Sequence, residues 1–262
     1  MSPSHSSRYV PLVADLARQA LAAAEDCTPH APRAGESVVS CTAFLPVARA
    51  ALGAPDGDVT GSLDTLRDAA ADPGTRFTDG IGHSREVYRH LVVNLARVAG
   101  RVELDTRPTW PASEDLAAGL WRCVAALGSG DCEAMRAQID ALLSDGGRDG
   151  SLQRQTPDDS PDHWTFRELA GLHALDILAE ALDHEAWRRR VREVAEYHQG
   201  HTQPDYTTYQ PWGLAVFARD PATSMFAEQQ LHDVETHLNL HGGGGAVIPA
   251  LLLTDATVML SG

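Results

Sequence analysis

The second half of the chain alternates two kinds of helical segment, and few folds accommodate that alternation. Residues 163–182 and 247–260 carry apolar side chains on almost every face. Residues 185–197 and 224–239 are charged on one face and apolar on the other. A helix that is apolar all round has to be buried on all sides, whereas an amphipathic helix covers it and meets water. An inner set of helices covered by an outer set is therefore expected. The predicted fold class is all-α, with helical hairpins in an α/α-toroid-like arrangement that is open or closed. A helical solenoid or an irregular bundle gives a similar pattern.

The first half continues in the same style. Apolar spacing predicts helices over 10–24, 37–52, 61–71, 84–101, 113–127 and 132–143. Pro46 lies inside the second of these and predicts a kink or a late start there. Ser84 and Ser113 read as N-caps, and Asp72-Pro73-Gly74 reads as a turn. No run of alternating residues argues for a sheet. Residues 144–162, rich in Asp, Gly, Ser and Pro, read as a flexible loop within a single helical domain spanning 1–262. With 262 residues and 43% hydrophobic content, the chain can bury one sizeable core.

Charge narrows the classes of partner. A formal net charge of −15 argues against nucleic acid. It argues equally against an anionic membrane surface or a polyanionic ligand. All 21 basic residues are Arg, so Schiff-base chemistry and a P-loop lysine are excluded. Cys27, Cys41, Cys123 and Cys132 are far apart in sequence and form no C-x-x-C pair, as expected of reduced thiols. No apolar segment follows Met1 as in a signal peptide, and no run of about 20 apolar residues is present to span a bilayer. These features predict a cytoplasmic protein acting on a small molecule, with no cofactor, no nucleic acid and no membrane. They are silent on oligomeric state.

The densest concentration of chemistry is at 198–217. His198, His201, Gln203, Asp205, Tyr206, Tyr209, Gln210 and Trp212 all fall within fifteen positions. Pro204 and Pro211 rule out a regular helix across the middle, and long irregular segments are usually functional or disordered. An Asp beside His and Tyr is the kind of set that acid–base catalysis requires, because each can hold or release a proton when its surroundings are adjusted. Asp205, His201, His198, Tyr206 and Tyr209 are the candidate proton carriers, with Asp205 the first choice. Gln203, Gln210 and Trp212 are the candidate substrate contacts. The structural alternative is an Asx or ST turn at Asp205 and Thr207 beneath packed aromatics.

Four other constellations stand out. His173, Asp176 and Glu180 share a stripe on an otherwise apolar helix. They are candidate substrate-facing groups if that stripe borders a cavity, and ordinary helix-surface groups if it meets a neighbour or water. His83 and Arg85 open a helix in the first half and are further candidate contacts. His237 and His241 have the i, i+4 spacing of a metal-binding pair, but no third ligand is evident, so no metal is expected and helix-end histidines are the simpler reading. Gly242 to Gly245 is neither a P-loop nor a dinucleotide-binding turn, and suits a close backbone approach to a ligand or a neighbouring helix.

The strings at 202–214 (T-Q-P-D-Y-T-T-Y-Q-P-W-G-L), 228–233 (E-Q-Q-L-H-D) and 241–245 (H-G-G-G-G) resemble a group of uncharacterised all-helical bacterial proteins. The helix pairing is also similar in style to the toroids of terpenoid cyclases and glycan-active enzymes. That resemblance implies an architecture and carries no activity. The function expected is an enzyme, of the lyase or isomerase-type cyclase kind. It would perform cyclisation, isomerisation or elimination by acid–base chemistry on a small, largely uncharged substrate. A glycan-active lyase or hydrolase, with Trp212, Tyr206 and Tyr209 stacking on sugar rings, is one alternative. A non-catalytic ligand-binding or scaffold protein is another.

Overall fold

The computed structural model describes residues 5–27, 36–54, 57–72, 74–100, 115–128, 131–144, 146–147, 149–157, 159–202 and 209–262. It is 73% helical and 3% strand, far below the fifth or more of strand found in an average globular protein, so the class is all-α. The helices in chain order are α1 (Tyr9–Glu25), α2 (Leu45–Ala51), α3 (Val59–Ala71), α4 (Glu86–Val98), α5 (Leu116–Ala125) and α6 (Cys132–Ser144). They continue with α7 (Pro161–Ala181), α8 (Glu185–His201), α9 (Leu214–Arg219), α10 (Ser224–His241) and α11 (Val247–Ser261). The chain divides into two compact units, one of Met1–Leu104 with Leu231–Gly262, the other of Asp105–Gln230.

The first unit is built on α11. Nearly every side chain of this helix from Val247 to Thr257 is buried, and α1 packs along it more extensively than any other helix, with α2 and α4 alongside. Contrary to the expectation that no run could span a bilayer, Gly243–Ser261 is the one helical stretch among the described residues long and apolar enough to cross a membrane, and 72% of its 18-residue apolar window is buried inside the fold. Its polar residues are each accounted for. Thr254, Thr257 and Ser261 donate their hydroxyls to carbonyls one turn back, at 2.7–2.8 Å. Asp255, 1% exposed, accepts from the Asn94 side-chain amide at 2.8 Å, and Asn94 in turn accepts from Arg97. A buried carboxylate without such partners would cost several kcal/mol.

Two local expectations are corrected here. Residues 37–52 do not form one helix: Val38–Ser40 is a short strand, β1, paired in parallel with β2 (Arg76–Thr78), and a 3₁₀ turn leads to α2 at Leu45. Pro46 explains the late start, since a proline is accommodated in a helix's first turn, where no N–H is needed. The β-branched pair Val38 and Val39 favours the extended stretch before it. Ser84 is not the cap of α4 either; it bridges to Thr78, and the helix begins two residues later at Glu86.

The second unit is organised around α7, which packs against α5, α8 and α9. Ser160 caps it by accepting the His163 N–H at 3.2 Å, and Pro161 occupies its first turn. From Glu168 to Ala179 every residue is buried, as an inner helix requires. Part of the stretch read as a flexible loop is tied to this core. Arg190 of α8 donates to the Ser151 carbonyl at 2.5 Å, and Trp164 of α7 donates to the Gln153 carbonyl at 3.4 Å.

Candidate functional site

A charged residue in the middle of an apolar helix has to be compensated, and Glu168 is. It is fully buried on α7. Its carboxylate accepts the backbone N–H groups of Leu152 at 2.7 Å and Gln153 at 2.5 Å, and it lies 3.2 Å from His198 Nε2 on α8. Charge-assisted bonds of this kind are roughly twice as strong as neutral ones. His198 is itself fully buried, and its other ring nitrogen, Nδ1, lies 2.6 Å from the hydroxyl of Thr202. Thr202 caps the C-terminal end of α8, where the backbone turns extended, and its N–H is satisfied by the His198 carbonyl at 3.0 Å. Of the three, Thr202 alone is part-exposed. A line of hydrogen bonds thus runs from a buried carboxylate, through an imidazole, to the hydroxyl of a part-exposed threonine.

The donors fix the proton positions. Glu168 only accepts, so His198 Nε2 carries a proton and donates it. In the neutral ring Nδ1 is then a bare lone pair, and the Thr202 hydroxyl donates to it. An imidazole held in this tautomer by a carboxylate is set to remove a hydroxyl proton, and the carboxylate stabilises the imidazolium that results. Aromatic groups wall the histidine: the Trp164 ring is centred 6.0 Å away and the Tyr197 ring 5.4 Å away. Burial, with the charges of Asp149 and Glu168, pushes the Tyr197 phenol above its ordinary range, so it stays protonated at neutral pH.

Beside the relay, Gln153 Nε2 and, on α7, Thr165 Oγ1 and Arg167 Nε are buried with no hydrogen-bond partner among the described residues. Gln153 adjoins the relay directly, because its own backbone N–H is bound to Glu168. Thr165 lies three residues before Glu168 on α7 and is 1% exposed. An orphaned buried donor or acceptor costs about 1–3 kcal/mol, and its presence in a folded protein calls for an explanation.

Of the candidate proton carriers read from the sequence, the structure brings His198 into this arrangement. His201 follows it on α8 rather than in a loop; it is exposed, its ring stacked on Tyr197 at 4.6 Å. Tyr209 is part-buried. Asp205, Tyr206 and Gln203 lie outside the described residues.

Trp212 and Gln210 are core groups and not an exposed binding surface. Trp212, 1% exposed, donates to Gln210 Oε1 at 3.1 Å and packs edge-on against Trp121, Phe166 and His173. The stripe on α7 likewise divides into separate structural duties. His173 Nδ1 accepts the Gly213 N–H at 3.3 Å inside that aromatic cluster. Asp176 pairs with Arg219, although burial still leaves its carboxyl above the ordinary range. Glu180 meets Arg188 at the surface, at 2.9 Å.

His83 and Arg85 belong to the first unit. His83 is exposed and sits 3.2 Å from Asp79, whose carboxylate holds the turn by accepting the N–H groups of Ile81 and His83. The rings of His237 and His241 are centred 4.8 Å apart and tilted by 40°. Burial, followed by the neighbouring His241, lowers the His237 pKa. Residues 158–162 space their acids as Asp-Asp-x-x-Asp, a pattern associated with metal binding. Asp159, however, already accepts from Thr156 and from Arg167 at 2.6 Å, and Asp162 is exposed. Among the described residues no three His, Cys, Asp or Glu side chains converge as metal ligands would.

Glu168, Thr202 and Gln153 were not among the sequence candidates. The argument that singles out His173 and Asp176, an ionisable group on a helix apolar all round, applies equally to Glu168. Nothing local marks Gln153. No protein-family model, curated protein or solved structure matches the chain.

Proposed function

We propose that this chain is an enzyme that moves protons at His198 to transform a small, largely uncharged substrate. The reading rests on one observation, the continuous line from Glu168 through His198 to the hydroxyl of the part-exposed Thr202. A structural pair needs only the first bond. The second sets the hydroxyl of a part-exposed residue against the imidazole, and such an arrangement supplies general acid–base catalysis worth typically a hundredfold or more. The net charge of −15 favours neutral over anionic substrates. Cyclisation, isomerisation, elimination and hydrolysis all use a group of this kind. A glycan substrate loses support because Trp212, its expected stacking platform, is 1% exposed.

Two finer readings go with the proposal. The pairings of α7 with α5 and α8 are the unit from which an α/α toroid would be assembled. The four free cysteines, with no disulfide, suit a reducing cytoplasm.

The test is turnover of a panel of neutral enolisable ketones, lactones and aryl esters by the full chain and by His198→Gln. Activity toward at least one class is expected, falling about a hundredfold or more in the variant while the Tm stays close to wild type. An inactive wild type across the panel, or a variant as active as the wild type, would sink the reading.

A further inference from the structure

We infer that Thr202 Oγ1 is a nucleophile that takes up the acyl group of a neutral ester or lactone, with the Gln153 side-chain amide as donor to the carbonyl oxygen. The inference rests on the acid–base reading above and names its substrate class. Three observations carry it. The Thr202 hydroxyl is 2.6 Å from Nδ1 of an imidazole whose other nitrogen lies 3.2 Å from a carboxylate, so the neutral ring offers that hydroxyl a lone pair. Thr202 is the one member of the relay that meets solvent. Gln153, tied to Glu168 through its backbone, keeps a buried side-chain N–H₂ with no acceptor among the described residues. A bound carbonyl oxygen gives that amide the acceptor it lacks, and a donor already desolvated binds developing negative charge with little reorganisation.

The steps balance without an oxidant or a co-reactant other than water. Thr202 Oγ bonds to the carbonyl carbon as its proton passes to His198 Nδ1, and the π pair moves onto the carbonyl oxygen opposite the Gln153 amide. The carbonyl re-forms, the bond to the ester oxygen breaks, and the leaving alcohol takes the proton from His198 Nδ1–H. Water then attacks the acyl-threonine through the same sequence, releasing a carboxylic acid and restoring the Thr202 hydroxyl. The Glu168 carboxylate stabilises the imidazolium, as the acid member of a hydrolytic triad does. The chain has no G-x-S-x-G elbow, which argues against a serine at a strand–helix turn. That argument does not touch a threonine at the end of a helix.

The test is p-nitrophenyl acetate added to the full chain, with acid quench, proteolysis and peptide mass analysis. Because the chain contains no lysine, the usual ε-amine background is absent. A burst of p-nitrophenol is expected, with one acetyl group on Thr202. Thr202→Val and His198→Gln should lose both, and Gln153→Met should slow acylation by roughly tenfold to a thousandfold with the Tm retained. Ester turnover with no acetyl on Thr202, or a burst that survives in Thr202→Val, overturns the inference. Deuterium exchange into a neutral ketone separates the two levels of argument. If exchange depends on His198 while Thr202 stays unlabelled, the acid–base reading stands and the nucleophile falls. If neither exchange nor label is seen, both fall.

Discussion

At the scale of single residues, the site turns on where one proton sits. His198 is enclosed by a pure acceptor on one side and a hydroxyl on the other, so the neutral ring has one tautomer open to it, protonated at Nε2. His201, exposed at the end of the same helix, offers the contrast: its Nδ1 lies 2.9 Å from the Tyr197 carbonyl oxygen, which only accepts, so its neutral ring carries the proton on Nδ1. Long-range proton–nitrogen correlation near neutral pH should show His198 with a fully protonated Nε2 and a bare Nδ1. In Glu168→Gln, whose amide can donate as well as accept, that preference should weaken. A His198 already doubly protonated, or protonated at Nδ1, would contradict the assignment. Glu168 matters beyond this pair. Replacing it with Leu would strand the Leu152 and Gln153 N–H groups, each at a cost of about 1–3 kcal/mol.

At the scale of elements, close packing of backbone decides what the glycines are for. A Cβ placed on Gly244 would lie 2.7 Å from the Gly80 carbonyl oxygen and 2.8 Å from Ile81 Cγ2, so the glycine run admits the 79–82 turn against the entry to α11. Gly200, inside α8, has nothing within 4 Å of its would-be Cβ. Gly244→Ala should therefore destabilise by about 1–3 kcal/mol through overpacking, whereas Gly200→Ala should stabilise by about 0.5–1 kcal/mol through helix propensity. Thermal unfolding of the two variants checks both signs. The run of glycines at 242–245 was legible as a close backbone approach because only a missing side chain permits one. Its partner was not, since Gly80 lies more than a hundred residues away in sequence.

The same limit applied to the candidate site. Helices were readable wherever apolar spacing repeats, and α7 and α11 were recognised as buried because they are apolar all round. A helix of that kind has no preferred face, so its sequence does not say which neighbour Glu168 or His173 meets. Residues 144–162 looked flexible because composition records what a loop lacks. It does not record the Glu168 carboxylate and the Arg190 guanidinium that bind this one from outside.

At the scale of the whole molecule, the all-α class follows from periodicity alone, while the division into units follows no boundary visible in the sequence. The first unit joins Met1–Leu104 to Leu231–Gly262, and its core is α1 laid along α11. A chain lacking residues 247–262 should keep the helical signal of the second unit but bind a hydrophobic dye such as ANS, because α1, α2 and α4 lose the surface they cover. An absence of dye binding in that truncation would show that α1 finds another partner. The pairing of α1 with α11 also sets a schedule. During synthesis α1 leaves the ribosome early and waits while about 220 further residues are made, on the order of ten seconds or more at cellular rates. Over that interval the second unit, contiguous in sequence, can reach its final form, while α1 presents an unmatched apolar stripe to the cell. The order of translation thus gives the unit that carries the candidate site a head start, and leaves the other dependent on whatever shields α1 until its mate arrives.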